Sequence, residues 1–126
     1  MDDSSPIATV LVVEDEAMIR DLAVNALRSA GYAVLEAGCI AEAQQIFRGD
    51  MDSIDLLLTD LNLDGESGQD LALAMLADKP DLRVIYTSGG GGSQLDQDRP
   101  RSVFLPKPYR LDELTELIDE MLSADR

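Results

Sequence analysis

The residues of this chain that could do chemistry are few, and they share one kind of position. Glu14 and Asp15 follow the apolar run Thr9–Val13, Asp60 ends the run that starts at Leu56, Thr87 and Ser88 close the run from Arg83, and Lys107 comes just after Val103–Leu105. Carboxylates gathered in one place repel one another unless something positive sits among them. Mg²⁺, or Mn²⁺ in its place, is a hard cation that takes oxygen ligands from a few carboxylates and leaves positions for water and phosphate oxygens. Lys107 would add a point charge for a phosphate oxygen, and Ser88 or Thr87 a hydroxyl donor. In such surroundings Asp60 could act as a nucleophile toward phosphorus, with the cations stabilising the spread charge of phosphoryl transfer.

Composition narrows the alternatives. The 126 residues contain no histidine, which removes the commonest general base and a common zinc ligand. Acidic residues outnumber basic ones by 25 to 10, giving a net charge of −15, so direct nucleic-acid binding is not expected. No apolar run approaches the roughly 20 residues of a membrane span, and the polar, acidic start does not read as a signal or transit peptide. The single cysteine, Cys39, fits a reducing cytoplasm and is expected to pack near the start of a helix. The length suits one domain, residues 1–126 with a core over about 8–124.

The elements that must position these residues alternate. Thr9–Val13 is a short β-branched run, and Ile19, Leu22, Ala23, Ala26, Leu27 and Ala30 then recur at helical spacing up to Gly31. Tyr32–Ala37 reads as a strand, and a helix follows through Ile40, Ala43 and Phe47. Leu56–Thr59 is a third strand, Asn62–Gly68 a loop, and Leu71–Ala77 a helix. Arg83–Thr87 and Val103–Leu105 are two more strands, and Leu111, Leu114, Ile118, Met121 and Leu122 form the last amphipathic stripe. Such alternation, with continuously apolar strands, predicts an α/β fold with a parallel sheet covered on both faces. Ligands of an open parallel sheet sit beyond the carboxyl ends of its strands, and the reactive residues all fall there. Singly, each has an ordinary reading: Asp15 as a helix cap or helix-dipole partner, Asp60 and Ser88 as turn residues, Lys107 as solvated surface. Those readings do not explain why all of them end strands.

Four segments then carry a resemblance along nearly the whole chain: VLVVEDE (Val10–Glu16), LLLTDLNLDGESG (Leu56–Gly68), VIYTSG (Val84–Gly89) and FLPKPY (Phe104–Tyr109). In this order the chain resembles the receiver domains of two-component response regulators. The resemblance implies a flavodoxin-like, doubly wound five-stranded sheet of order 2-1-3-4-5. It implies that Asp60 is the phosphoacceptor. Glu14 and Asp15 are the acidic pair around Mg²⁺, with Asp15 favoured as the direct ligand, and Asn62 adds its backbone carbonyl. Lys107 contacts the phosphate and precedes a cis proline bond. Ser88 is the switch hydroxyl, with Thr87 the alternative, and Phe104 is the switch aromatic.

The implied function is that of a response regulator receiver. It takes a phosphoryl group from a histidine kinase or histidine phosphotransfer protein in a phosphorelay and passes the signal to a downstream protein. It is no enzyme beyond its own phosphorylation and slow dephosphorylation. A monomer or weak dimer is expected, acting alone, within a relay, or as part of a hybrid kinase. The alternative within the family is a degenerate receiver that binds partners without phosphorylation. An aspartyl-phosphate phosphatase would want a second aspartate where Asn62 stands, and a flavodoxin-like carrier would not place Glu14, Asp15 and Glu16 in its phosphate loop. The chain departs from the family pattern twice. Asp64 stands where a proline is frequent. The segment from Gly89 to Pro100 is glycine-rich, with Leu95 its one apolar residue, so the fourth helix is expected to be short, irregular or mobile.

Overall fold

The computed structural model of the chain describes residues 8–88 and 102–123. Strands β1 (Thr9–Val13), β2 (Ala33–Ala37), β3 (Leu56–Asp60), β4 (Arg83–Ser88) and β5 (Ser102–Pro106) form one sheet, and the helices are α1 (Ala17–Ser29), α2 (Ile40–Asp50), α3 (Gly68–Asp78) and α4 (Leu111–Ser123). The strand order is β2-β1-β3-β4-β5 and every pairing is parallel, as the resemblance implied. The expectation of a short or irregular fourth helix over Gly89–Pro100 lies outside the described residues.

Side chains alternate across a strand, so each strand feeds two cores. Val10, Val12, Leu56, Leu58, Ile85 and Leu105 pack with Leu27, Leu114 and Ile118 on the α1/α4 side. Leu11, Val13, Leu57, Val84 and Tyr86 pack with Phe47, Leu71 and Met75 on the α2/α3 side. β3 is buried along its whole length, with Leu56 and Leu57 fully inaccessible. Burying such a side chain contributes about 1.5–3 kcal/mol, and this clamps the strand that ends in Asp60.

Several boundaries differ from the sequence reading. The stripe assigned to α1 includes Leu22, but Leu22 is 53 % exposed and Met18 beside it 77 %. Helical spacing identifies neighbours on a face without saying whether the face is covered. Cys39 occupies the N-cap position of α2 and is exposed rather than packed. Asn62–Gly68 is more ordered than a plain loop. Asn62–Leu63 pairs antiparallel with Glu66–Ser67 across Asp64 and Gly65, whose φ values of 54° and 89° fit a type I′ hairpin turn. Proline, held near φ −65°, cannot occupy that conformation, which accounts for Asp64 at this position.

Candidate functional site

The ends of β1, β3, β4 and β5 meet at one edge of the sheet. Lys107, just beyond β5, lies between two carboxylates: its Nζ donates to Asp60 Oδ2 at 2.7 Å and to Glu14 Oε1 at 2.8 Å. Asp60 is 8 % exposed and Glu14 4 %, so this ion pair is well shielded from water. Burial drives the Glu14 carboxyl above its usual range despite the lysine. Burial would lower the Lys107 ammonium, but its bonds to Asp60 and Glu14 outweigh that effect and hold it above the ordinary lysine range. Tyr109 is also pushed up, first by burial and then by the nearby negative charge of Glu14.

Each carboxylate has a distinct setting. Asp60 Oδ1 accepts from the Asn62 backbone N–H at 3.2 Å, so both its oxygens have a donor. Glu14 Oε2 accepts from the Glu16 N–H at 3.1 Å, which leaves Glu14 turned inward and bonded at both oxygens. Asp15 is exposed. It does not cap α1, whose N-cap is Glu16 with no side-chain capping bond, so of its ordinary structural readings the cap does not hold. Glu14, Asp15 and Asp60 each bring a carboxylate oxygen within 4.8 Å of the others. An all-oxygen donor set of three carboxylates beside one ammonium fits a hard divalent cation.

The backbone around Asp60 is held by close approaches. Leu61 N–H donates to Thr87 O at 2.8 Å, and Gly68 N–H to Leu61 O at 2.9 Å. The first residue of α3 is packed so tightly here that a Cβ on Gly68 would sit 1.8 Å from Asp60 O and 3.0 Å from Thr59 Oγ1. Sequence reading took Gly68 only as loop punctuation. The signal lay in its distance from Asp60, but only coordinates show the contact.

The two candidate hydroxyls separate by face. Thr87 pairs in register with Asp60 and is 3 % exposed. It is two residues beyond Ile85, on the α1/α4 side. Ser88 is two beyond Tyr86, and Phe104, in register with Tyr86, packs on the same α2/α3 side. Ser88 and Phe104 therefore share a face that Thr87 does not. The Ser88 carbonyl also accepts from Lys107 N–H at 3.0 Å, tying the end of β4 to the lysine. The Lys107–Pro108 bond is cis.

Beside Lys107 lies a cleft of about 500 Å³ between α1 and the turn from β5 to α4, lined by Ile19, Leu22, Pro108, Tyr109 and Leu111. With Leu22 exposed among these lining residues, the surface beside Lys107 is largely apolar. No helix among the described residues is long and apolar enough to cross a membrane.

Residues 10–119 match the family described as the response regulator receiver domain. The chain is 34% identical over 118 residues to the response regulator receiver protein CpdR of Brucella abortus, covering 91% of this chain and 97% of that protein. It is 35% identical over 123 residues to the sensor kinase CckA of the same organism, covering 95% of this chain but only 13% of the kinase. It spans 25% of the DNA-binding transcriptional regulator NtrC of Azospirillum brasilense, at 31% identity. Among solved structures, the receiver domain of the hybrid histidine kinase CckA superposes with a TM-score of 0.80 at 32% identity, over 91% of this chain and 99% of that one.

Proposed function

The chain belongs to the response regulator receiver family, and from that premise we propose that it accepts a phosphoryl group on Asp60 from a phosphohistidine donor and changes its partner surface in consequence. The observation that carries this reading is the Asp60 carboxylate itself, shielded at the end of β3 with Lys107 Nζ at 2.7 Å and the Glu14 and Asp15 carboxylates beside it. Asp60 attacks phosphorus: an O–P bond forms, the N–P bond to the donor imidazole breaks, and its electron pair stays on the imidazole nitrogen. Lys107, bonded to Asp60, would follow the charge from the carboxylate onto the phosphoryl oxygens. Asp15 and Asp60, with Glu14 and the Asn62 backbone carbonyl, would hold Mg²⁺ or Mn²⁺, which supplies positive charge to the phosphoryl oxygens.

Ser88 is the hydroxyl we assign to a phosphoryl oxygen, and its shared face with Phe104 supports that choice over Thr87. Movement of Ser88 would free space for Phe104, and the switch is then a shift between two packings. The apolar border of the site suits a donor presented on a protein, a histidine kinase or histidine phosphotransfer protein.

Incubation with a small phosphodonor and Mg²⁺ tests the proposal. The protein should gain one phosphoryl group that is stable in acid and released by hydroxylamine, and EDTA or Asp60→Asn should prevent it. Uptake by Asp60→Asn, or none by the wild type, contradicts the assignment.

A further inference from the structure

Arg20 stands outside the set of groups assigned above, yet it touches the loop that carries them. Its side-chain Nη1 donates to the Glu14 carbonyl at 2.7 Å, and its own backbone N–H donates to the Glu16 carbonyl at 2.9 Å. Those two carbonyls bracket Asp15 in the chain. On its other side the guanidinium Nε lies 3.4 Å from Glu36 Oε1 on β2. Glu36 is in turn 4.0 Å from Arg28, about two helical turns further along α1. The space for this fork is kept by Gly38, where a Cβ would fall 3.0 Å from Arg20 Nη1. Three elements therefore converge on one planar group: the β1–α1 turn, β2, and the turn after β2.

We propose that Arg20 is a positioning residue for divalent-cation binding: by holding the Glu14 carbonyl, next to Asp15, with its guanidinium and anchoring to Glu36, it fixes where the Asp15 carboxylate stands relative to Asp60. This rests on the functional reading above. A guanidinium suits the task because its fixed fork can serve a carbonyl and a carboxylate at once, which a lysine ammonium on a flexible stem does not reproduce. Groups that orient a metal ligand without touching the metal commonly alter affinity by about ten-fold or more. The sign distinguishes positioning from charge. A positive group near a cation site repels the cation, so a purely electrostatic Arg20 would weaken binding, and its removal would tighten it.

The test is calorimetric titration of Mn²⁺ and Mg²⁺ into the wild type, Arg20→Met, Arg20→Lys and Glu36→Gln, at a temperature where each is folded, with melting in EDTA recorded alongside. Arg20→Met and Arg20→Lys should each bind about ten-fold more weakly, and Glu36→Gln about three-fold more weakly, the measure of a partly exposed ion pair. Unchanged or tighter binding by Arg20→Met overturns the inference, as does wild-type affinity in Arg20→Lys, since charge without the fork would then suffice. If Arg20→Met does not fold, Glu36→Gln decides, and unchanged affinity there overturns the inference. A wild type that binds no divalent cation overturns the functional reading as well, whereas cation binding that ignores Arg20 overturns this inference alone.

Discussion

The two ends of the central sheet treat charge in opposite ways. At the amino ends of the strands, charged side chains are bonded to backbone. Asp55 Oδ2 accepts from Thr9 N–H at 2.9 Å, Lys79 Nζ donates to the carbonyls of Met51 and Ile54, and Arg83 Nε donates to Met121 O at 2.9 Å. Each charge there closes a gap in the backbone's own hydrogen bonding, where a strand starts or a helix ends. At the carboxyl ends the charges face one another instead. Lys107 joins Asp60 to Glu14, and Asp15 stands exposed beside them. Three carboxylates around one ammonium leave an excess of negative charge within this cluster. One end is a set of staples; the other is a site whose exposed carboxylate, Asp15, borders two bonded ones.

That contrast can be broken at several points. The largest effect should come where the reactive end depends on backbone packing. Gly68→Ala puts a Cβ 1.8 Å from Asp60 O, and urea unfolding should show a loss of about 3 kcal/mol, with phosphorylation reduced in the folded fraction. If stability is unchanged, α3 does not brace Asp60 as described. Next is a staple: Lys79→Met should cost about 2 kcal/mol in the same measurement and leave divalent-cation affinity unaltered. An altered affinity would mean that the two ends are not independent. Smallest in stability is the reactive end itself. Asp15→Asn should change stability in EDTA by less than about 0.5 kcal/mol. Mg²⁺ at ten times its Kd should stabilise the wild type by about 1.4 kcal/mol and the variant by clearly less. Equal stabilisation of both would remove Asp15 from the cation site.

Most of this arrangement could be read from sequence, for physical reasons that differ by residue. Strand order was implied by the family resemblance, and the clustering of Glu14, Asp15, Asp60 and Lys107 was legible because a parallel sheet forces its strand ends to one edge, so a polar residue ending an apolar run has a known address. Sequence left both Ser88 and Thr87 open as the hydroxyl, since the face of β4 that each residue takes follows from register with Tyr86 and Phe104. Exposure of Leu22 was not legible because helical periodicity reports a stripe and not what covers it. Asp64 stood out as a missing proline, and only its φ of 54° shows that the turn has no place for one. The roles of Gly68 and Arg20 depend on contacts to backbone oxygens, which no pattern of side-chain types encodes.

The central claim is that one particular carboxylate becomes an acyl phosphate. Borohydride reduces an aspartyl phosphate to homoserine, so peptide mass spectrometry after treatment with phosphodonor and Mg²⁺ locates the modified residue directly. The account predicts homoserine at position 60, and only when donor and divalent cation were both present. Homoserine at position 15, or none at position 60 in a sample shown to carry phosphate, would contradict it.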